Sequence, residues 1–201
     1  MRIRGARLPD VQAIHALMER FVAQGILLPR SVEAIERARE HFLVAVENQR
    51  VVGCVSLNVY EAHEPASREL APILSGLAEI RALAVAADFQ GNGLGARLVA
   101  AAVKKAKKLK IARVFAVTHS LAFFEKQGFV ATALADLPEK IERDCCRCLR
   151  QGWCGQQGAM MVLQPTQTAE YPLSKFRNRN SVHETPDTDS LRAALPALPS
   201  S

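Results

Sequence analysis

Three glycines at alternate positions, Gly91, Gly93 and Gly95, stand where a short apolar run meets an Ala- and Leu-rich segment. The run over residues 79–85 predicts a largely buried strand, and the segment from Ala96 onward predicts a helix. Glycine has no Cβ, so the backbone N–H groups of such a turn can face a ligand, and the helix N-terminus adds a partial positive charge. The pattern therefore predicts a site for a ligand that carries phosphate.

The spacing of these glycines separates the turn from two common nucleotide-binding loops. The dinucleotide fingerprint needs G-x-G-x-x-G, and the P-loop ends in Gly-Lys-Ser/Thr. Here the order is G-x-G-x-G, and the Gly-Lys-Ser/Thr ending is absent from the turn. A surface turn without a ligand is the alternative interpretation of the same residues.

The elements that must position this turn alternate between strands and helices along the chain. Residues 2–4 predict a strand, helical spacing after Asp10 predicts a helix, and Ser31 is a plausible N-cap for a second helix. The later predicted elements are a hairpin (42–46 and 51–57), a strand (113–117), a short helix (121–127) and a final hairpin (129–131 and 160–163). The predicted order is β–α–α–β–β–β–α–β–α–β–β, with residues 60–75 as a loop.

Length and composition fit one globular domain with a tail. The chain has 201 residues, 49% of them hydrophobic, with a mean hydropathy near zero. We predict a domain over residues 1–163 and a low-complexity, disordered tail over residues 164–201, which is rich in Pro, Ser, Thr and Asn. No apolar run approaches the ~20 residues of a membrane span, and the N-terminus lacks the apolar core of a signal peptide. These features predict a cytoplasmic protein without a membrane partner.

The net charge of +6 fits either nucleic acid or a small ligand with several phosphates. Five lysines follow the glycine turn between Lys104 and Lys110, with little aromatic interleaving. Nucleic-acid surfaces usually combine basic and aromatic side chains. We therefore interpret the lysines as a solvated helix face and predict no nucleic-acid partner.

Gln90, Gly93 and Gly95 fit the acyl-CoA loop Gln/Arg-x-x-Gly-x-Gly/Ala, and here the sequence resembles the GNAT N-acetyltransferases. Five further segments resemble the N-acetylglutamate synthases of arginine biosynthesis in the form without a kinase domain: 25–31, 52–57, 79–85, 123–129 and 137–141. The resemblance covers about residues 1–163. It implies the GNAT acyl-CoA N-acyltransferase fold, an α/β (α+β) fold with a mixed central sheet flanked by helices. It also implies acetyl-CoA as co-substrate without a required metal, and homodimers are common among such domains.

The resemblance implies acetyl transfer to the α-amino group of L-glutamate, which needs a base, an oxyanion donor and cations for carboxylates. Glu79 is the candidate base. Arg30 is the first candidate for a substrate carboxylate, ahead of Arg81, Lys140 and Arg143. The cofactor would lie against the end of the strand and the turn, at Leu83, Ala84, Val85, Gln90, Gly91, Asn92, Gly93, Leu94 and Gly95.

One position departs from the family pattern. Many GNAT enzymes have a tyrosine that protonates the leaving thiolate, and Phe124 stands at that place. The resemblance implies that a hydroxyl of Thr118 or Ser120 replaces it, although Thr118 can instead cap the end of the strand. His119 is interpreted as an exposed loop residue.

Other interpretations of the same residues stay open. Glu79 can be a structural ion-pair partner of Arg81, and Arg30 can be a surface arginine. The acceptor can be another amino acid or a small amine. Phe124 also suits a non-catalytic acyl-CoA sensor.

Cysteines cluster late in the chain. Cys145, Cys148 and Cys154 have a spacing that resembles metal ligands, but we predict ordinary reduced thiols and no metal.

Overall fold

A seven-stranded mixed sheet with strand order β1-β2-β3-β4-β5-β7-β6 forms the centre of the molecule. The computed structural model describes residues 1–60, 76–148 and 154–163, which lie in one compact unit. The strands are β1 (Arg2–Gly5), β2 (Phe42–Glu47), β3 (Arg50–Tyr60), β4 (Leu77–Val85), β5 (Arg113–Thr118), β6 (Val130–Thr132) and β7 (Gln157–Val162). The helices are α1 (Val11–Ala23), α2 (Val32–Arg37), α3 (Leu94–Lys108), α4 (Leu121–Glu125) and α5 (Pro138–Arg143).

The helices begin where the local chemistry favours a start. The Ser31 side chain accepts a hydrogen bond from the Ala34 N–H at 3.2 Å and caps α2, as predicted. Gly93, at φ 73°, precedes α3 in the left-handed conformation that glycine adopts without strain. The α3 helix then buries an apolar stripe that includes Leu98 and Ala102 against β2, β3 and β4.

The sheet separates between β4 and β5. These parallel strands pair over three residues only, from Leu77 opposite Arg113 to Glu79 opposite Phe115. Beyond that point β4 continues to Val85 beside β3, while β5 continues beside β7. Two strands therefore diverge next to the glycine turn, and Glu79 stands where the divergence begins.

The predicted element order is confirmed, with two differences. Residue 60 was expected in a loop, but Tyr60 is the last residue of β3, pairs with Leu77 and packs its ring 5.5 Å from that of Phe115. The alternating pattern of β3 continues into this residue because its ring covers the start of β4 and β5. Helix α5 was not predicted. The expected loop over 61–75 and the expected tail over 164–201 lie outside the described residues.

Candidate active site

Glu79 lies at the centre of a cluster of charged groups. Its side chain is only 3% exposed. Lys140 Nζ lies 2.9 Å from Glu79 Oε1 and 3.1 Å from Oε2. The Tyr60 hydroxyl donates to Oε2 at 2.7 Å, and the Arg81 guanidinium pairs with the same oxygen. The carboxylate is thus held by partners from β3, from β4 and from α5.

Asp144, just after α5, is the second carboxylate of the cluster. Its Oδ2 pairs with Arg81 and with Lys140 Nζ at 3.0 Å, and the Tyr60 hydroxyl lies 3.0 Å away. Partial burial opposes its ionisation, but the charges of Arg81 and Lys140 outweigh this and lower the pKa of Asp144 to about 2. The Arg143 guanidinium lies 3.4 Å above the Tyr60 ring, a cation–π contact.

The Tyr60 hydroxyl keeps its proton in this cluster. Burial raises the pKa of Tyr60 first, and the charge of Glu79 raises it further. The hydroxyl accepts from Arg81 at 2.8 Å while it donates to Glu79. Tyr60 therefore acts as a fixed hydrogen-bond bridge between the two side chains.

Arg30 lies in the connection between α1 and α2. Burial lowers its pKa, as does the nearby charge of Arg81, whereas Glu79 and Asp144 act in the opposite direction. The Arg30 guanidinium therefore responds to the charges of Arg81, Glu79 and Asp144. No hydrogen bond or ion pair joins it to another residue within the described ranges. Its fork of donors is available to a carboxylate.

The cluster carries an excess of positive charge. It contains the two carboxylates of Glu79 and Asp144. Four cations act on these carboxylates: Arg30, Arg81, Lys140 and Arg143. The difference is two positive charges. A small ligand with carboxylate groups is favoured by such a balance.

The glycine turn has the open backbone that its sequence predicts. Gly91 and Gly93 have φ of 74° and 73°, and a Cβ at either would meet no atom within 4 Å. The Gln90 side chain donates to the Val85 carbonyl at 2.9 Å, so it fastens the turn to the end of β4. The Leu94 side chain is in the core, which leaves the backbone of the turn and the start of α3 to face a ligand.

A β-bulge interrupts β4 after Arg81. Ala82, at φ 50°, and Leu83 together lie opposite a single residue of β3, because Ser56 pairs with Arg81 and Cys54 pairs with Ala84. A bulge leaves one residue outside the ladder. This is where the oxyanion donors near Leu83 and Val85 are predicted.

The end of β5 offers hydroxyl groups. The Thr118 side chain accepts a hydrogen bond from the Ser120 N–H at 2.9 Å, which caps the strand and leaves the hydroxyl proton free to be donated. Phe124 is 5% exposed and packs edge-on against Phe123 and Phe129. Phe124 is therefore a core residue.

The structure brings together most of the predicted polar site residues and adds two. Glu79, Arg81 and Lys140 are in direct contact, and the charges of Glu79 and Arg81 act on Arg30. The sequence analysis missed Tyr60 and Asp144.

The family model of the acetyltransferase (GNAT) family matches residues 11–129. With the diverging sheet, the bulge and the glycine turn, this shows that the chain belongs to the GNAT acetyltransferases. The predicted fold is confirmed, and so is the predicted co-substrate, acetyl-CoA, which enzymes of this family use.

Within the family the chain is similar to amino-acid acetyltransferases. It is 30% identical to the amino-acid acetyltransferase of Mycobacterium tuberculosis over 148 residues, which are 72% of this chain and 77% of that protein. An uncharacterised N-acetyltransferase of Chlorobaculum tepidum is 33% identical over 161 residues, 80% of this chain and 96% of that protein. The predicted resemblance to N-acetylglutamate synthases is confirmed.

A solved structure of an N-acetylglutamate synthase is also similar to this chain. The N-acetylglutamate synthase of Neisseria gonorrhoeae, complexed with coenzyme A and N-acetyl-glutamate, matches with a TM-score of 0.69 at 28% identity. The match covers 81% of this chain but 35% of that chain. The chain likewise spans 29% of the amino-acid acetyltransferase of Pasteurella multocida.

In the described ranges, no three His, Cys, Asp or Glu side chains are grouped so that they could hold a metal ion. None of the helices within these ranges has both the length and the apolar character needed to cross a bilayer.

The ion pairs of Asp144 predict a dependence of stability on pH. The pKa of Asp144 is about 2 in the folded chain, whereas the ordinary value, 3.8, applies to the unfolded chain. The stabilisation is therefore complete above about pH 4 and is lost as the pH falls towards about 2. We expect the difference in free energy of unfolding between wild type and Asp144→Asn to shrink over this interval, by up to about 2 kcal/mol.

Urea unfolding at a series of pH values measures this difference. A difference between the two proteins that stays constant from neutral pH to pH ~2 would contradict the assignment of Asp144 to the ionised cluster.

Proposed function

We propose that the chain transfers the acetyl group of acetyl-CoA to the α-amino group of L-glutamate. The observation that carries the proposal is the guanidinium of Arg30, which has no bonded partner among the described residues and whose pKa responds to the charges of Glu79 and Asp144. A dicarboxylate acceptor suits a site with two excess positive charges better than a cationic amine does. The similarity to proteins named amino-acid acetyltransferase and N-acetylglutamate synthase supports the same acceptor.

In the proposed reaction Glu79 is the base. It takes a proton from the acceptor amine, directly or through a water molecule, so that nitrogen can attack the acetyl carbon. Backbone N–H groups near Leu83 and Val85 stabilise the oxyanion. The CoA thiolate then leaves, with a proton from Thr118 or Ser120 or without one.

The other predicted residues bind the acceptor and acetyl-CoA. Arg30 holds one acceptor carboxylate, and Arg81, Lys140 and Arg143 are the candidates for the second. The nine cofactor residues of the strand end and turn lie against acetyl-CoA. Acetylation of glutamate would place the chain at the first step of arginine biosynthesis.

Thiol release from acetyl-CoA, measured with purified protein and each amino acid in turn, tests the proposal. We expect release that saturates with L-glutamate and is weak with lysine and polyamines. Release with a cationic acceptor only would keep the acetyltransferase and reject the dicarboxylate acceptor.

A second candidate is a non-catalytic acyl-CoA sensor. The buried Phe124 favours it, because this position offers no hydroxyl to a leaving thiolate. CoA binding measured by calorimetry, without thiol release for any acceptor, would support the sensor and reject the enzyme.

A further inference from the structure

Polar side chains stand at alternate positions along one face of β3, at Ser56, Asn58 and Tyr60. The strand register places Asn58 directly opposite Glu79 and places Ser56 opposite Arg81. Opposite residues of an antiparallel pair share a face of the sheet, with Cβ atoms about 4.5–5.5 Å apart. Asn58 is therefore a close neighbour of the carboxylate that we propose as the base.

Asn58 differs from its two neighbours on this face. The Ser56 hydroxyl donates to the Arg81 carbonyl at 3.3 Å, and the Tyr60 hydroxyl donates to Glu79. Asn58 Oδ1 is buried and accepts no hydrogen bond, and it is the only buried side-chain N or O atom without a partner in the described part of the chain. A buried amide oxygen without a hydrogen bond lowers the stability of the fold, so its presence calls for an explanation.

The chemistry of Asn58 and Glu79 indicates which kind of ligand group can bind between them. An amide oxygen and a carboxylate both accept hydrogen bonds, and neither can satisfy the other. Within the described ranges Glu79 Oε1 pairs with Lys140 alone, so it keeps lone-pair capacity. A group with at least two N–H bonds satisfies both oxygens at once, and a primary amine is such a group.

We infer that Asn58 Oδ1 and Glu79 together hold the amino group of the acceptor. The inference rests on the proposed acetyl transfer and adds the residue that orients the nucleophile. One N–H of the amine donates to Asn58 and another to Glu79. The neutral nitrogen attacks the acetyl carbon, the carbonyl electron pair moves to oxygen, and the proton lost from nitrogen passes to Glu79. The carbonyl then re-forms as the carbon–sulfur bond breaks, and the thiolate takes that electron pair.

This arrangement selects primary amines. An N-methyl amino acid has one N–H fewer and cannot satisfy both oxygens while a proton is removed. Asn58 is thus a specificity residue for the degree of substitution of the amine, in addition to the carboxylate selection by the cations.

Asn58→Leu, a change of similar size without hydrogen-bonding atoms, tests the inference. We expect kcat/KM for L-glutamate to fall about 10–100-fold, with an unchanged KM for acetyl-CoA. The melting temperature should stay equal or rise by about 2–4 °C, because the unpaired oxygen is removed. A purely structural role for Asn58 predicts the reverse, a lower melting temperature with unchanged kinetics.

The acceptor series supplies a second readout. Wild type should prefer L-glutamate to N-methyl-L-glutamate about tenfold or more, and Asn58→Leu should lose most of that preference. Asn58→Ser, which keeps a short acceptor, should recover part of the activity. A preference that is the same in wild type and Asn58→Leu overturns the inference, because sterics alone would then explain it.

Failure of this inference is distinguishable from failure of the proposed function. An active wild type with unchanged Asn58→Leu kinetics overturns the inference alone. A wild type that releases no thiol with any amine overturns both.

Discussion

Replacing Glu79 with Gln is expected to lower kcat by about 10²–10⁴-fold while the affinity for CoA stays the same. The amide keeps the shape of the side chain and its contact with the Tyr60 hydroxyl, but it cannot accept the proton of the amine. The effect should fall on kcat at saturating glutamate, because Arg30, Arg81 and Lys140, which we propose to bind the acceptor, remain in place. Steady-state thiol release and calorimetric titration with CoA measure the two quantities separately.

The buried ion pairs make a control necessary here. Removal of one partner from a buried pair is strongly destabilising, by about 3–5 kcal/mol. Glu79→Asp keeps the charge and retracts it by one methylene, so it should fold and have intermediate activity. Glu142→Gln, on the exposed side of α5, is the matched variant and should behave as wild type. Unchanged turnover in folded Glu79→Gln would reject Glu79 as the base and favour its interpretation as a structural ion-pair residue.

Replacing Arg30 with Ala is the second change with a large expected effect. The KM for L-glutamate should rise about 10–100-fold, since hydrogen bonds to charged groups contribute about 1.5–3 kcal/mol each. The KM for acetyl-CoA should not change, because the glycine turn and the start of α3 are untouched. Stability should also change little, since Arg30 has no bonded partner to lose among the described residues.

Arg30→Lys separates charge from geometry. Lysine keeps the charge but not the planar fork, so it should recover only part of the acceptor affinity. Arg37→Ala, at an exposed position of α2, removes an arginine nearby without touching the cluster. Equal changes in both KM values, or no change in the KM for glutamate, would contradict the assignment of Arg30 to an acceptor carboxylate.

Features that depend on neighbouring residues could be predicted from the sequence. The glycine turn, its strand and its helix occur within one continuous stretch, and Ser31 caps the helix that directly follows it. Their propensities and hydrogen bonds act over a few residues, so the local sequence pattern is enough to predict these elements. The resemblance to a family then added Glu79 and Arg30, which no local rule would single out.

Tyr60 and Asp144 could not be found in this way. Their roles come from contacts across 84 positions of the chain, where the Tyr60 hydroxyl lies beside the Asp144 carboxylate. The charged, proline-containing segment after Tyr60 favoured a loop, although the polar side chains at alternate positions of β3 indicate a longer strand. For Asp144 the available signal was its i,i+4 spacing from Lys140, which predicts a helical ion pair but not its place beside Glu79.

The short ladder between β4 and β5 has a consequence for how the protein opens. Past Glu79 and Phe115 the sheet contains two facing strand edges whose amide groups do not bond to each other. Exposed edges usually invite pairing with other chains, but these two lie within the sheet, which shields them from that hazard. Their amides should exchange with deuterium faster than those of β3, and a ligand bound between them would slow the exchange and raise the stability by mass action. We therefore expect acetyl-CoA, if it binds between these two strand edges, to protect their amides from exchange.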